Sequence, residues 1–174
     1  MNKDLKCCFT GHRPEKLPFT PGPYSYNYLQ FRKALEHAIQ DAINAGYRYF
    51  ITGMARGVDL WSAQIVLSFK KSYPDIKLEA AIPFEGQEKL WNEEDRRLYN
   101  EVRSACDKVT VLLPHHTKSA MYNRNRYMID NSSFLIAAYN GEPGGTAYTV
   151  EYAREKGLKI VNIFDEDYYG YSIL

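Results

Sequence analysis

The sequence is poor in cysteine: three residues among 174. That number is too low, and odd, for a disulfide framework, and it fits a reducing cytosol. Cys7 and Cys8 are adjacent on a predicted strand, so their side chains point to opposite faces. With Cys106 far away, no zinc-ligand spacing exists, and no metal site is expected. Charge of one sign is also scarce. The formal net charge is +1, which argues against a broad nucleic-acid footprint while permitting a local basic cluster. No apolar run approaches the length of a membrane span. The start, Met1-Asn2-Lys3-Asp4, is too polar for a signal peptide. A cytoplasmic protein without membrane contact is expected. Internal repeats, low-complexity tracts and linkers are absent, so residues 1–174 are read as one domain. Neither the Walker pattern nor G-x-G-x-x-G occurs.

What is present is an ordinary apolar content of 45% and fifteen tyrosines, residues suited to half-buried surfaces, pocket walls or a subunit contact. Short continuous apolar runs alternate with helical patterns. Strands are predicted at Lys6–Phe9, Tyr47–Ile51, Lys77–Ile82, Lys108–Leu113, Ser133–Tyr139 and Lys159–Phe164. Leu35, Ala38, Ile39, Ala42 and Ile43 form one helical face before a capping Gly46. Further helices are predicted at Val58–Lys71, Gln87–Ala105, Ala120–Asn131 and Ala147–Lys156. Gly11 to Pro23, with four prolines, is a loop. The acidic, tyrosine-rich tail after Asp165 has no clear pattern. The alternation predicts an α/β domain: a mostly parallel sheet of about six strands with helices on both faces. In such sheets ligands bind beyond the carboxyl ends of the strands, where the winding direction reverses.

The loops at those ends carry the chemistry. Gly141-Glu142-Pro143-Gly144-Gly145-Thr146 separates the fifth strand from a helix. A glycine-rich turn there aims free N–H groups and a positive helix end at one point, a place for phosphate. Gly144, Gly145 and Thr146 are the candidate contacts, with the Thr146 hydroxyl also a candidate helix cap. After the first strand, Gly11 permits close approach, and His12 and Arg13 offer donors for phosphate or carboxylate. After the second strand, Gly53, Arg56, Gly57 and Asp59 form a tight turn leading into a helix. Asp59 could cap that helix or hold ribose hydroxyls; its negative charge opposes phosphate at the same place. Met121, Arg124, Asn125 and Met128 share one helical face, and Arg124 among methionines either covers apolar surface or enters a site. Arg126 lies off that face. His115 and His116 read as a surface turn. Glu85 and Glu88 are candidate acid and base, or simply acids at a helix start.

In this order the motifs resemble the SLOG superfamily of Rossmann-like nucleotide-binding proteins, and within it the YpsA-like family. The resemblance rests on Thr10-Gly11-His12-Arg13-Pro14, Thr52-Gly53 through Trp61, Pro83-Phe84, Arg124 through Met128, and Ser133 through Ala153. It spans nearly the whole chain. The superfamily includes the Lonely Guy cytokinin-activating phosphoribohydrolases and the DNA-processing protein A domain. The resemblance implies a pocket for a nucleotide or nucleotide-derived ligand, with no cofactor required, in a sensor or regulatory protein. It leaves open an N-glycosidic hydrolase and, as a third function, single-stranded DNA binding. Related proteins commonly form dimers, so a homodimer is a candidate assembly. Arg124 matches the catalytic arginine of the Lonely Guy Arg-Lys motif, but Asn125 stands in place of the lysine. Thr149 takes the place of the glutamate in Pro-Gly-Gly-x-Gly-Thr-x-x-Glu. Glu151 lies about 200° further round the helix and faces away.

Overall fold

The inner strands of the sheet are buried on both faces, and the two edge strands are not. In a computed structural model describing residues 5–165, six strands form one sheet: β1 (Lys6–Gly11), β2 (Tyr49–Thr52), β3 (Lys77–Ile82), β4 (Lys108–Val111), β5 (Phe134–Ala138) and β6 (Lys159–Asn162). Residues 1–4 and the tail after Asp165 lie outside the described residues. Every strand pairing is parallel, and the order is β4-β3-β2-β1-β5-β6. β1 is therefore central, with Cys7 opposite Phe50 on one side and Phe134 on the other.

Five helices cover the sheet: α1 (Tyr26–Asn44), α2 (Val58–Phe69), α3 (Glu93–Ala105), α4 (Ala120–Asp130) and α5 (Gly145–Glu155). α1, α2 and α3 pack on one face around Phe9, Phe31, Phe50, Trp61 and Tyr99. α4 and α5 pack on the other around Ile51, Met128, Leu135 and Val150. Cys7 belongs to the first core and Cys8 to the second, as alternation along β1 requires. The chain winds outward from β1 through β4, then returns through α4 to lay β5 on the other side of β1. That return places the reversal between β1 and β5, and right-handed crossovers put α4 and α5 on the opposite face.

Several element ends differ from the sequence expectations. α1 begins nine residues before its apolar face, because the Ser25 hydroxyl accepts the Tyr28 N–H at 3.4 Å and caps it. α3 begins at Glu93 rather than Gln87, because Asn92 caps it through the Asp95 N–H at 2.8 Å. β4 and β6 stop two residues short of the predicted ends.

One buried charge in the sheet is fully furnished with donors. Glu79 on β3 is 1% exposed. It accepts hydrogen bonds from Tyr49, Thr110 and Tyr127 at 2.6–2.7 Å and an ion pair from Lys108 at 3.0 Å. Burial alone would raise its carboxyl, but these partners outweigh it and hold the group below the usual glutamate range. A depressed carboxyl stabilises the fold above its unfolded value and loses that contribution as pH falls through the folded value. Wild-type stability in urea is therefore expected to fall with acidification from about pH 5 downward. Glu79→Gln should start lower at neutral pH and show a shallower decline.

Candidate functional site

A cleft of about 320 Å³ opens at the reversal between β1 and β5. That is the small end of the range of roughly 300–1,000 Å³ for ligand pockets. Thr10, Gly11, His12 and Arg13 enter it from the end of β1, and Pro143 to Thr146 from the turn before α5. α4 contributes Met121, Arg124, Asn125 and Met128, the four residues that share its face. Ala55 and Asp59 come from the loop after β2, with Glu15 and Lys16 at the entrance. The bends near residues 55 and 145 thus meet in one cavity.

The α5 end of this cleft is built from backbone. Gly144 is the N-cap at φ 143°, a conformation that side chains disfavour, and Gly145 is the first helical residue. No side chain caps the helix, so its first N–H groups and its positive end are free to face a ligand. A Cβ built on Gly144 or Gly145 meets nothing within 4 Å, so the space before them is open. Thr146 does not cap the helix as expected. It sits one position inside, buried. One turn further in, the Thr149 hydroxyl donates to the Gly145 carbonyl at 2.7 Å and accepts from Asn125 Nδ2 at 2.8 Å. The two positions that depart from the Lonely Guy pattern therefore bond to each other as a neutral pair.

The opposite wall carries a buried ion pair. Arg124 Nη1 donates to Asp59 Oδ2 at 2.7 Å, and each residue is 6% exposed. The Ala55 N–H donates to the same oxygen at 3.2 Å. Burial holds the Asp59 carboxyl above the ordinary range, and the guanidinium and the Ala55 amide offset part of that rise. Asp59 makes no cap hydrogen bond to α2, so the expectation of capping gives way to this pair. Gly53 makes room for it: a Cβ there would fall 2.6 Å from Asp59 Oδ2 and collide with the Arg124 guanidinium. Thr52 Oγ1 donates to the Asp59 carbonyl at 2.8 Å. Met54, two residues after Thr52, is buried at φ 58°, and its carbonyl accepts from Gln87. The loop is thus fixed from several sides. Arg124 Nε is buried without a hydrogen-bond partner.

Other predicted residues have different places. Gly53 and Gly57 are not part of the cleft lining; Gly57 sits against Pro14 and the His12 carbonyl. Arg56 does not line the cleft; it pairs with Asp95 at 2.6 Å and with Glu15 at 3.5 Å. Glu85 pairs with Arg103 at 3.1 Å. Glu88 keeps one buried carboxylate oxygen without a partner. Neither glutamate lines the cleft, because the end of β3 lies two strands away from the reversal. His12 stays, joined to Asn140 by a 2.6 Å hydrogen bond between Nε2 and Oδ1. Asn140 also accepts the Glu142 N–H at 3.1 Å, which ties the β1 loop to the glycine turn. Arg126 lies over the Tyr152 ring, outside the cleft. His115 and His116 are exposed.

Sequence reasoning passed over Lys16 and Asn140. Lys16 stands three residues after Arg13 in the proline-rich loop, which was its one available signal. Asn140 is 128 residues from His12, a separation with no local signature. Arg13 and Lys16 make no ion pair among the described residues. Among those residues no group of three or more His, Cys, Asp or Glu could hold a metal ion. Among the described residues no helix is long and apolar enough to cross a membrane.

Residues 7–164 match the model of the YspA SLOG family. A UPF0398 protein of Bacillus cereus is 34% identical over 168 residues, covering 95% of this chain and 88% of the relative. One of Halalkalibacterium halodurans is 29% identical over 153 residues, covering 84% and 79%. Among solved structures, DNA processing protein A of Streptococcus pneumoniae aligns with a TM-score of 0.60 at 20% identity over 91% of this chain. The Helicobacter pylori protein aligns with a TM-score of 0.58 at 16% identity over 90%. These two likenesses are of fold, and the chain spans 50% and 63% of the respective proteins. By the extent of the family match and the identity to its relatives, this chain belongs to the YspA SLOG family.

Proposed function

We propose that the cleft binds a nucleotide or nucleotide-derived ligand through its phosphate, in a sensor or regulatory role. The observation that carries this reading is the juxtaposition of two donor sets in one cavity. The uncapped start of α5 at Gly144 and Gly145 shares it with the guanidinium-bearing side chain of Arg124, whose Nε has no partner. Helix N-termini and guanidinium groups both favour phosphate, and Arg13 and Lys16 add positive charge at the entrance. Titration calorimetry against nucleoside mono- and diphosphates, NAD and ADP-ribose is the test, and uniform silence from folded protein would refute the reading. Gly145→Glu gives a sharper version. The space at Gly145 is open, and an acid in the first helical turn suits the dipole, so the variant should fold as well as wild type. Its carboxylate would occupy the anion's position and is expected to weaken binding about tenfold or more.

N-glycosidic hydrolysis is the second reading, supported by a fixed carboxylate, Asp59, in the same cleft as Arg124. Against it stand the neutral Asn125–Thr149 pair and the engagement of Asp59 with Arg124. Release of free base or ribose phosphate from nucleoside monophosphates, lost in a folded Arg124→Ala, would establish it. Single-stranded DNA binding, the reported property of the Helicobacter pylori protein, is supported here by likeness of fold. Steeply salt-dependent binding of oligonucleotides would be its signature.

A further inference from the structure

We infer that Asp59 reads the sugar of this ligand, its carboxylate accepting hydrogen bonds from ribose hydroxyls, so that the ligand is a ribonucleotide. The inference rests on the phosphate reading above and adds the class of sugar. Both donors that reach the Asp59 side chain, Arg124 Nη1 and the Ala55 N–H, share Oδ2. Oδ1 accepts no hydrogen bond among the described residues, although Asp59 lines the cleft and is 6% exposed.

A carboxylate paired with a guanidinium is an acceptor only, with two oxygens to satisfy. Oδ1 is not sealed off in the protein, so it is open to a donor that enters the cleft. The partner for Oδ1 cannot be the phosphate, which carries the same sign. A neutral donor beside the phosphate suits it, and the sugar hydroxyls of a nucleotide are such donors. The cleft offers both kinds of group: amides at Gly144 and Gly145 with the Arg13 cation, and, in the Asp59–Arg124 pair, a carboxylate acceptor. The acceptor is also rigid. Clearance at Gly53 and the hydrogen bond from Thr52 to the Asp59 carbonyl fix the carboxylate before any ligand arrives. A fixed acceptor discriminates against analogues that lack the matching hydroxyl.

The test titrates wild-type protein with the four ribonucleoside 5′-monophosphates and their 2′-deoxy counterparts. The deoxy forms are expected to bind about ten- to a hundredfold more weakly, the loss of one hydrogen bond to a charged group. In Asp59→Asn, which keeps the shape and weakens the acceptor, that ratio should fall towards one. Should the variant fail to fold, the wild-type comparison decides alone. Equal affinity of wild type for both series overturns the sugar inference and leaves the phosphate reading standing. A wild-type preference unchanged in Asp59→Asn overturns the assignment to Asp59. Binding of neither series overturns the sugar inference as drawn, and silence of the diphosphates, NAD and ADP-ribose as well overturns the phosphate reading with it.

Discussion

Arg124→Met is expected to cost about 3–5 kcal/mol of stability, far more than an exposed ion pair would. The methionine fills much of the same volume beside Met121 and Met128. The loss arises because Asp59 stays behind as a buried carboxylate with the Ala55 N–H as its one remaining side-chain partner. Urea denaturation at neutral pH measures it, and raised salt should change the result little, because a buried pair is poorly screened. The double variant Asp59→Leu with Arg124→Met should recover most of the loss, since replacing both charges removes the uncompensated one. A single-variant loss below about 1 kcal/mol would mean that water reaches the pair as it reaches a surface bridge. The stable double variant would then separate function from folding. It should keep the sheet and lose nucleotide binding.

Gly53→Ala is the second large expectation, from one added methyl group. The new Cβ would lie 2.6 Å from Asp59 Oδ2 and inside the Arg124 guanidinium. Either the pair separates or the loop moves, and the loop is held by Thr52, Met54 and Gln87. Overpacking of this kind costs about 1–3 kcal/mol, and a broken pair adds to it. The distinctive sign is coupling. In an Arg124→Met background the guanidinium is gone, so Gly53→Ala should cost less than in wild type, by about 1 kcal/mol or more in a double-mutant cycle. Equal costs in both backgrounds would show that Gly53 serves the turn rather than the pair.

The sheet was legible because its strands obey a local rule. β3, buried on both faces, was predicted with its observed ends, and β1 and β5 came close. The errors fell where side chains act on backbone groups a few residues away, as Ser25 and Asn92 do at their helix starts. In the site, the glycine turn and the inward face of α4 were legible from spacing. The second glycine turn was legible as a turn, but its role was not. Gly53 reads as backbone meant for phosphate until Arg124, 65 residues beyond Asp59, is known to need the space. Arg56, Glu85 and Glu88 failed to reach the cleft for a related reason. Partners brought by α3, Asp95 and Arg103, draw Arg56 and Glu85 elsewhere. Pairings across such separations leave no trace in periodicity.

The position of β5 beside β1 has a consequence for biogenesis. One whole edge of the central strand waits for residues 134–138 before it is covered. As the chain leaves the ribosome, β1 to β4 can zip together in order, yet that edge stays open until most of the polypeptide has been made. An unpaired apolar edge invites pairing with other chains. The ligand cleft, flanked by the same two strands, is completed in that late step, so closure of the sheet and birth of the binding site are one event.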